Sequence, residues 1–87
     1  MYYVYMIKNS INDLYVGISE EPNKRLLAHN NNRGANFTKN NRFFTLVFEE
    51  GHGSLAEARK REIQIKKWRR DKKEFLIEIY LKKSETK

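Results

Sequence analysis

The sequence predicts a small α+β domain, with a three-stranded antiparallel sheet flanked by helices in the order ββαβαα. Aromatic and β-branched residues cluster in three short runs, and a turn of hairpin length separates the first two. Helix-start signals precede three further segments. The 87 residues are enough for one core but too few for a second domain that binds a cofactor.

The first two strands are predicted over residues 2–7 and 14–18, on either side of the turn segment KNSIND. If Lys8 faces Leu14, even and odd positions lie on opposite faces of the hairpin. The even positions are apolar and predict the core face: Val4, Met6, Leu14, Val16 and Ile18. The odd positions carry tyrosines and a glycine, a composition that suits a site better than a core: Tyr3, Tyr5, Ile7, Tyr15 and Gly17.

A short helix is predicted over residues 23–31, because Pro22 suits the first turn of a helix. Leu26 and Leu27 are expected to face inward. The polar segment 30–42 predicts a loop of about a dozen residues, long enough to have a role of its own. The third strand is predicted over residues 43–50 and is expected to end at the Gly-His-Gly segment 51–53.

Two capping signals predict the remaining helices. Ser54 and Glu57 form a capping box, which opens a helix that runs to about Arg70. Asp71 is the expected cap of a last helix. The apolar face of that helix is predicted to be Phe75, Leu76, Ile79 and Tyr80. We therefore predict a single domain over residues 1–80 and a short polar tail over residues 81–87.

The composition excludes several classes of protein. The chain has no cysteine, which excludes disulfides, cysteine-ligated metal centres and cysteine nucleophiles. No apolar run approaches the ~18–20 residues of a membrane span, and the N-terminal segment is unlike a signal peptide. We therefore expect a cytoplasmic protein without a membrane partner. No glycine-rich phosphate loop and no Ser/His/Asp arrangement is present.

The positive charge lies in the last third of the chain. Residues 1–58 hold six basic and six acidic residues, whereas residues 59–87 hold twelve basic and five acidic ones, which accounts for the net charge of +7. A one-sided basic field attracts polyanions, of which nucleic acid is the commonest in the cytoplasm. A solvated helix face rich in lysine and arginine is the alternative.

Glu62 is a carboxylate on an apolar stripe of the long helix, which also carries Leu55, Ala58 and Ile65. Burial of a carboxylate is costly unless the group is paired or binds a metal. Two explanations stay open: a metal site, or a salt bridge to Arg59, Lys66 or Arg69. Arg25 and His29 lie four residues apart on one helix face, where exposed polar positions are equally expected.

These residues resemble the motifs of the GIY-YIG nuclease superfamily. Tyr3-Val4-Tyr5 is followed, ten residues on, by Tyr15-Val16-Gly17, and then in order by Arg25, His29 and Glu62. The resemblance covers residues 2–75 and is closest to the small stand-alone bacterial members. The sequence departs from the family pattern at Tyr3, in place of a glycine, at Ile18, where some members have lysine, and at Glu74, where many have asparagine.

The resemblance implies a DNA endonuclease that hydrolyses phosphodiesters with a single Mg²⁺ or Mn²⁺ ion held by Glu62. Arg25 would clamp the phosphate, Tyr5 would accept a proton with Tyr15 as its partner, and His29 would orient a tyrosine hydroxyl or contact phosphate. A tyrosine needs nearby positive charge for that role, since its pKa is ordinarily about 10. Predicted nucleic-acid contacts are Gly17, Arg33, Lys39, Arg42, Arg59, Lys66 and Arg69.

Three functions follow from the sequence. The first is a metal-dependent endonuclease acting on structured or damaged DNA, with a protein partner as one possible source of target specificity. The second is a nucleic-acid-binding module of the same fold with weak or no catalysis. The third is a protein-interaction domain with aromatic anchors at Phe37, Phe43 and Trp68.

Overall fold

The computed structural model of the protein describes residues 1–31 and 43–85. Its elements, in chain order, are β1 (Tyr2–Asn9), β2 (Leu14–Ser19), α1 (Pro22–Asn31), β3 (Phe44–His52), α2 (Leu55–Lys66) and α3 (Arg70–Glu85). The α+β class and the order ββαβαα predicted from the sequence are confirmed. In these two ranges no helix is long and apolar enough to cross a membrane.

The strands form an antiparallel sheet in the order β2-β1-β3, so that β1 is the central strand. Lys8 pairs with Leu14, which confirms the predicted hairpin register. The Asn9 side chain holds the turn, because its Oδ1 accepts a hydrogen bond from the backbone N–H of Asp13 at 2.8 Å. Asn12 adopts a left-handed backbone conformation (φ 72°), which asparagine tolerates better than most residues.

The even-numbered face of the hairpin is buried, as predicted. It packs against α2 and α3, and Leu14 and Ile18 lie at the margin of this packing. Removing large apolar side chains from water stabilises the fold by about 1.5–3 kcal/mol each. The buried residues of this main core are Val4, Met6, Val16, Phe48, Ala58, Ile65 and Ile77.

The opposite face of the sheet carries a smaller core beneath α1. Tyr5 is only 4% exposed, so this face is also a core, contrary to the interpretation drawn from its composition. That the face is a site stays a prediction. Leu27, expected to face inward, is 64% exposed, and Leu26 alone of the pair packs against the sheet. The members of this small core are Tyr5, Ile7, Phe44, Leu26 and Leu46.

A β-bulge lets β3 contribute to both cores. Ile7 pairs with Leu46 whereas Met6 pairs with Phe48, so Val47 is an extra residue between two registers. In a regular strand, residues 44, 46 and 48 would share one face. The bulge instead directs Leu46 to the small core and Phe48 to the main core.

β3 extends through the glycine that was predicted to end it. Gly51 lies opposite Tyr3 in the β1–β3 pair. A Cβ atom at this position would lie 2.6 Å from the Met1 Sδ and 3.2 Å from the Tyr3 Cε2. Gly51 therefore leaves room for neighbouring side chains within the strand. His52 also belongs to β3, and its Nε2 lies 2.9 Å from the Glu50 Oε1.

The cap of α2 is confirmed, but its end was predicted wrongly. The Ser54 Oγ accepts a hydrogen bond from the backbone N–H of Glu57 at 3.2 Å. The helix ends at Lys66 rather than near Arg70. Trp68 follows in the connection to α3, where its backbone N–H donates a hydrogen bond to the Ile65 carbonyl at 3.0 Å.

α3 begins at Arg70, two residues earlier than a cap at Asp71 would allow. The Arg69 carbonyl accepts a hydrogen bond from the N–H of Lys73 at 3.2 Å, so Arg69 and not Asp71 takes the cap position. The helix continues to Glu85. The division into a domain over residues 1–80 and a tail over 81–87 stays a prediction.

The buried face of α3 is rotated relative to the prediction. Ile77 is the fully buried residue, and Leu76 and Tyr80 pack against the main core. Phe75 and Ile79, predicted to face inward, are exposed. Apolar residues at 75, 76, 77 and 79 are consistent with more than one buried face of the helix. Contact with β3 buries the face that carries Ile77.

Candidate active site

Tyr5 lies at the centre of the candidate site, on the central strand and directly opposite Gly17 of β2. The tyrosine ring covers the glycine, because a Cβ atom at Gly17 would lie 2.7 Å from the Tyr5 hydroxyl oxygen. Gly17 therefore provides the space in which the Tyr5 ring rests. Its predicted contact with nucleic acid stays a prediction.

Arg25 of α1 lies close enough to the Tyr5 hydroxyl to lower its pKa through hydrogen bonding and charge. Burial raises the pKa of Tyr5 above its ordinary value of 10.0, and the hydrogen bond and charge of Arg25 only partly offset that rise. The negative charges of Tyr15 and Glu62, when ionised, raise it further. The Tyr5 hydroxyl is therefore protonated at neutral pH in this state of the protein.

Tyr15 and His29 form the outer part of the site. The two rings stack with centroids 5.9 Å apart, and Tyr15 is half exposed. The His29 ring also meets the edge of Phe44 at 4.8 Å. His29 is thus held between one tyrosine at the surface and one phenylalanine of the small core.

Asn30 and Phe44 are parts of this arrangement that the sequence did not single out. The Asn30 side-chain amide accepts a hydrogen bond from the Phe44 N–H and donates one to the Phe44 carbonyl, both at 3.1 Å. It thereby pairs with β3 as a neighbouring strand would. Because Asn30 stands in a run of three asparagines, the sequence carried no signal that distinguished it.

Glu62 approaches the site from α2. Its side chain is 14% exposed, and its Oε2 lies 3.1 Å from the Lys66 Nζ. Of the three salt-bridge partners that the sequence left open, the structure has Lys66. Glu62 is nevertheless close enough to Tyr5 to raise the pKa of its hydroxyl, so that ion pairing and proximity to the site occur together.

The structure brings the five predicted catalytic residues together, although they lie on four different elements. Electrostatic contacts join Tyr5 to Arg25, Tyr15 and Glu62, and ring stacking joins Tyr15 to His29. A surface depression of about 280 Å³ borders Arg25 and is also lined by Ser19, Glu20, Glu21, Lys24 and Ala28. The catalytic roles of the five residues stay predictions.

The family model for the GIY-YIG catalytic domain matches residues 1–75 of this chain. The chain belongs to the GIY-YIG nuclease family. The prediction made from the paired tyrosine motifs is confirmed. A GIY-YIG protein of this size has close bacterial relatives. The chain is 41% identical to a UPF0213 protein of Staphylococcus saprophyticus over 76 residues. These residues are 87% of this chain and 93% of that protein.

Further relatives are of the same kind. A UPF0213 protein of Staphylococcus epidermidis is 38% identical over 77 residues, covering 88% of this chain and 94% of that protein. One of Staphylococcus haemolyticus is 39% identical over the same shares. These GIY-YIG relatives are small single-domain proteins, as predicted, and their names state no activity. No solved structure matches the chain.

GIY-YIG nuclease domains generally use divalent metal ions, and Glu62 suits such an ion. Residues 1–31 and 43–85 contain no group of three or more histidine, cysteine or acidic residues that could hold a metal. Mg²⁺ does not need one, since it keeps several waters and binds through one or two carboxylates plus substrate phosphate. The Lys66 ammonium already places a positive charge at this carboxylate.

Two departures from the GIY-YIG pattern have structural explanations. Glu74 ties α3 to β1, because its carboxylate accepts hydrogen bonds from the Lys8 Nζ at 2.8 Å and the Arg70 Nε at 2.7 Å. The Lys8 hydrogen bond is the main cause of a lowered Glu74 pKa. Ile18 lies opposite Val4 at the margin of the main core. Both residues support the packing of the domain.

Apart from Gly17, the predicted nucleic-acid contacts divide into two groups. Arg59, Lys66 and Arg69 are exposed on or just after α2. Arg33, Lys39 and Arg42 lie outside the described residues, as does Phe37 of the interaction hypothesis.

The proposed anchor Trp68 is half buried against the main core. The Arg61 guanidinium carbon lies 5.2 Å and the Lys72 Nζ 4.4 Å from the centroid of its ring. Trp68 thus contacts other residues of the domain, and Phe43 is 61% exposed. The interaction hypothesis stays a prediction.

Proposed function

We propose that the protein is a divalent-metal-dependent DNA endonuclease. The observation that supports this most is the convergence of Tyr5, Tyr15, Arg25, His29 and Glu62 from β1, β2, α1 and α2. Separate structural roles would not require Arg25, Tyr15 and Glu62 to lie within electrostatic range of one hydroxyl. Membership of the GIY-YIG family supplies the reaction class.

Arg25 has the chemistry to hold the scissile phosphate. Its guanidinium is permanently charged and offers several N–H donors in a plane, which suits two phosphate oxygens. Hydrolysis adds negative charge to those oxygens, so a cation already in place stabilises the transition state more than the substrate. The hydrogen-bonding capacity and charge of Arg25 also act on the Tyr5 hydroxyl, whose pKa they lower.

Tyr5 is the proposed acceptor of the proton from the attacking water. The Tyr5 hydroxyl must first lose its own proton, which burial and the Glu62 carboxylate both oppose and Arg25 favours. When bound at Glu62, a single Mg²⁺ or Mn²⁺ supplies Lewis-acid stabilisation of the phosphate and of the leaving oxygen. Neutralising Glu62 also removes one cause of the raised pKa of Tyr5.

Tyr15 and His29 are proposed to position the Tyr5 hydroxyl and the phosphate. Their stacked rings lie at the open side of the site, where Tyr15 is half exposed. A protein of this size has little surface for reading bases, so we infer that it selects structured or damaged DNA by shape and phosphate contacts. A protein partner is a second source of specificity, and the cytoplasm is the proposed location.

A nucleic-acid-binding module with weak catalysis is the second candidate. The raised pKa of Tyr5 favours it, because a protonated tyrosine accepts no proton. The ion pair that occupies Glu62 points the same way. On this alternative, the basic residues of 59–73 would bind DNA without cutting it.

Cleavage assays separate the two candidates. Supercoiled plasmid and labelled flapped, branched and single-stranded DNA are incubated with Mg²⁺, Mn²⁺ or EDTA. Wild-type protein is compared with Arg25→Ala, Glu62→Gln and the control Lys82→Ala, which removes an exposed charge on α3, away from the candidate site. The endonuclease predicts metal-dependent products that are lost in the first two variants and kept in the control.

Two other results would contradict the proposal. Equal cleavage by wild type and both site variants would indicate a contaminating nuclease. Salt-sensitive DNA binding without cleavage in any metal would establish the binding module instead.

A further inference from the structure

The Glu62 carboxylate already has a cation beside it. The Lys66 Nζ lies 3.1 Å from the Glu62 Oε2, four residues further along the same helix. The order of the pair is favourable, since glutamate N-terminal to lysine at this spacing stabilises a helix better than the reverse. The ion pair therefore forms within α2 and needs no contact with another element.

The two members of the pair differ in their freedom to move. The Glu62 side chain is 14% exposed, whereas that of Lys66 is 52% exposed. Glu62 stands between the buried residues Ala58 and Ile65 of α2, which restricts its rotamers. Lys66, at the last turn of the helix, can turn its ammonium to solvent at small cost.

From these facts, and resting on the proposed function, we propose that Lys66 is the built-in counter-ion of Glu62 and that a divalent cation must displace it. A lysine ammonium and a metal ion on one carboxylate repel each other, because both are cations a few ångströms apart. Lys66 therefore competes with the metal in the free enzyme. Without it, a buried carboxylate close to Tyr5 would lack a partner.

Displacement releases Lys66 for a second task. Lys66 and Arg59 flank Glu62 on α2, at four residues after it and three before it, so all three lie on one side of the helix. A released ammonium at that place can bind a phosphate of the DNA backbone. Binding of the metal and of DNA then favour each other, and the effect is reciprocal.

Metal affinity without DNA is the primary test, because it needs no cleavage. Mn²⁺ binding is measured by electron paramagnetic resonance for wild type, Lys66→Gln, Lys66→Arg and Lys67→Gln. Lys67→Gln is the matched control, since Lys67 is exposed, adjacent and turned by about 100° around the helix axis. We expect Lys66→Gln to bind Mn²⁺ about two- to fivefold more tightly. Lys66→Arg should match wild type.

The outcomes distinguish this proposal from the proposed function. Unchanged or weaker Mn²⁺ binding by Lys66→Gln would overturn it, as would an equal gain in Lys67→Gln, which would indicate a general effect of charge. Glu62→Gln should abolish the binding. If Glu62→Gln binds Mn²⁺ like wild type, the proposed metal site is itself wrong.

DNA binding gives an independent check. The affinity for a flapped DNA is measured over a range of salt concentrations, once with Ca²⁺ and once with EDTA. Lys66→Gln should lower the slope of log affinity against log salt by about one in Ca²⁺, corresponding to one phosphate contact. In EDTA it should leave the slope unchanged. An equal loss in both conditions would show that Lys66 binds phosphate regardless of the metal, contrary to the proposal.

Discussion

The two faces of the sheet differ in what covers them. One face is sealed by α2 and α3 over the main core, whose buried members are almost all aliphatic. The other is covered by the ten-residue α1 over the small core, in which Tyr5 brings a hydroxyl into a largely apolar setting. The first face stabilises the domain, and the second places the polar groups of the candidate site near the surface.

The comparison shows why the candidate site is where it is. A tyrosine buried under two long helices would be out of reach of any substrate. Under one short helix, Tyr5 is buried yet keeps contact with Arg25, and through Tyr15 the site reaches the surface. Partial cover by a short helix thus allows a tyrosine to be buried while the candidate site around it stays open to solvent.

The main core should be the more sensitive face in unfolding experiments. Ile65→Ala removes a side chain that is fully buried, and we expect a loss of about 2–5 kcal/mol in the free energy of unfolding. Ile63→Ala, on the exposed side of the same helix, is the control and should cost much less. Urea unfolding measures both; similar losses would break the distinction between the faces.

Gly17→Ala should damage the site face. The added Cβ would lie 2.7 Å from the Tyr5 hydroxyl oxygen, so the ring must move. We expect a loss of about 1–3 kcal/mol in stability and a fall in cleavage rate of about tenfold or more. Gly53→Ala is the control, because a Cβ there would have no heavy atom within 4 Å among the described residues beyond its chain neighbours. A Gly17→Ala enzyme with wild-type rates would show that Tyr5 needs no fixed position.

Asn30→Ala should loosen the connection between α1 and β3. It removes both hydrogen bonds to the Phe44 backbone, at an expected cost of about 1–2 kcal/mol. Hydrogen exchange at the Phe44 amide should accelerate. Asn23→Ala, at an exposed position of the same helix, should leave that amide unchanged. Unchanged exchange in Asn30→Ala would contradict the proposed strand-like pairing.

Titration of Tyr5 should reveal the balance of charges on the site face. Because folding raises the Tyr5 pKa above 10.0, the folded state holds the proton more tightly than the unfolded one. The contribution of Tyr5 to the free energy of unfolding is therefore fully present below about pH 10. It is lost as the pH rises through the pKa of Tyr5 in the folded state.

Arg25→Ala should raise the Tyr5 pKa further, since the influence that lowers it is gone. Ultraviolet absorbance, with Tyr5→Phe to assign the signal, measures the change. A lower pKa in Arg25→Ala would contradict the arrangement.

Glu74→Gln should have the smallest effect. The lowered Glu74 pKa means that its ion pairs stabilise the protein above about pH 4.5 and lose that contribution as the pH falls. These pairs are partly exposed, so the expected loss at neutral pH is below about 1 kcal/mol. Cleavage should be unaffected. A large fall in activity with unchanged stability would bring Glu74 into the site.

The sequence predicted the fold well because its signals were local. The hairpin register followed from the alternation around Lys8 and Leu14, and the cap of α2 from Ser54. The family motifs then predicted the five residues that meet in the site. The predictions that were wrong depended on packing between distant parts of the chain: the buried face of α3 and the burial of Tyr5 and Ile7. The hydrogen bonds of Asn30 to β3 were missed for the same reason.

The bulge in β3 makes one residue of that strand different from its neighbours. Val47 stands between two registers, so its deletion would leave Leu46 opposite Ile7 and Phe48 opposite Met6, still on opposite faces of a regular strand. Deletion of Thr45 would instead shift Phe44 by one position and turn its ring away from the compartment around Tyr5. The length of the strand can therefore shorten at Val47 but not at Thr45.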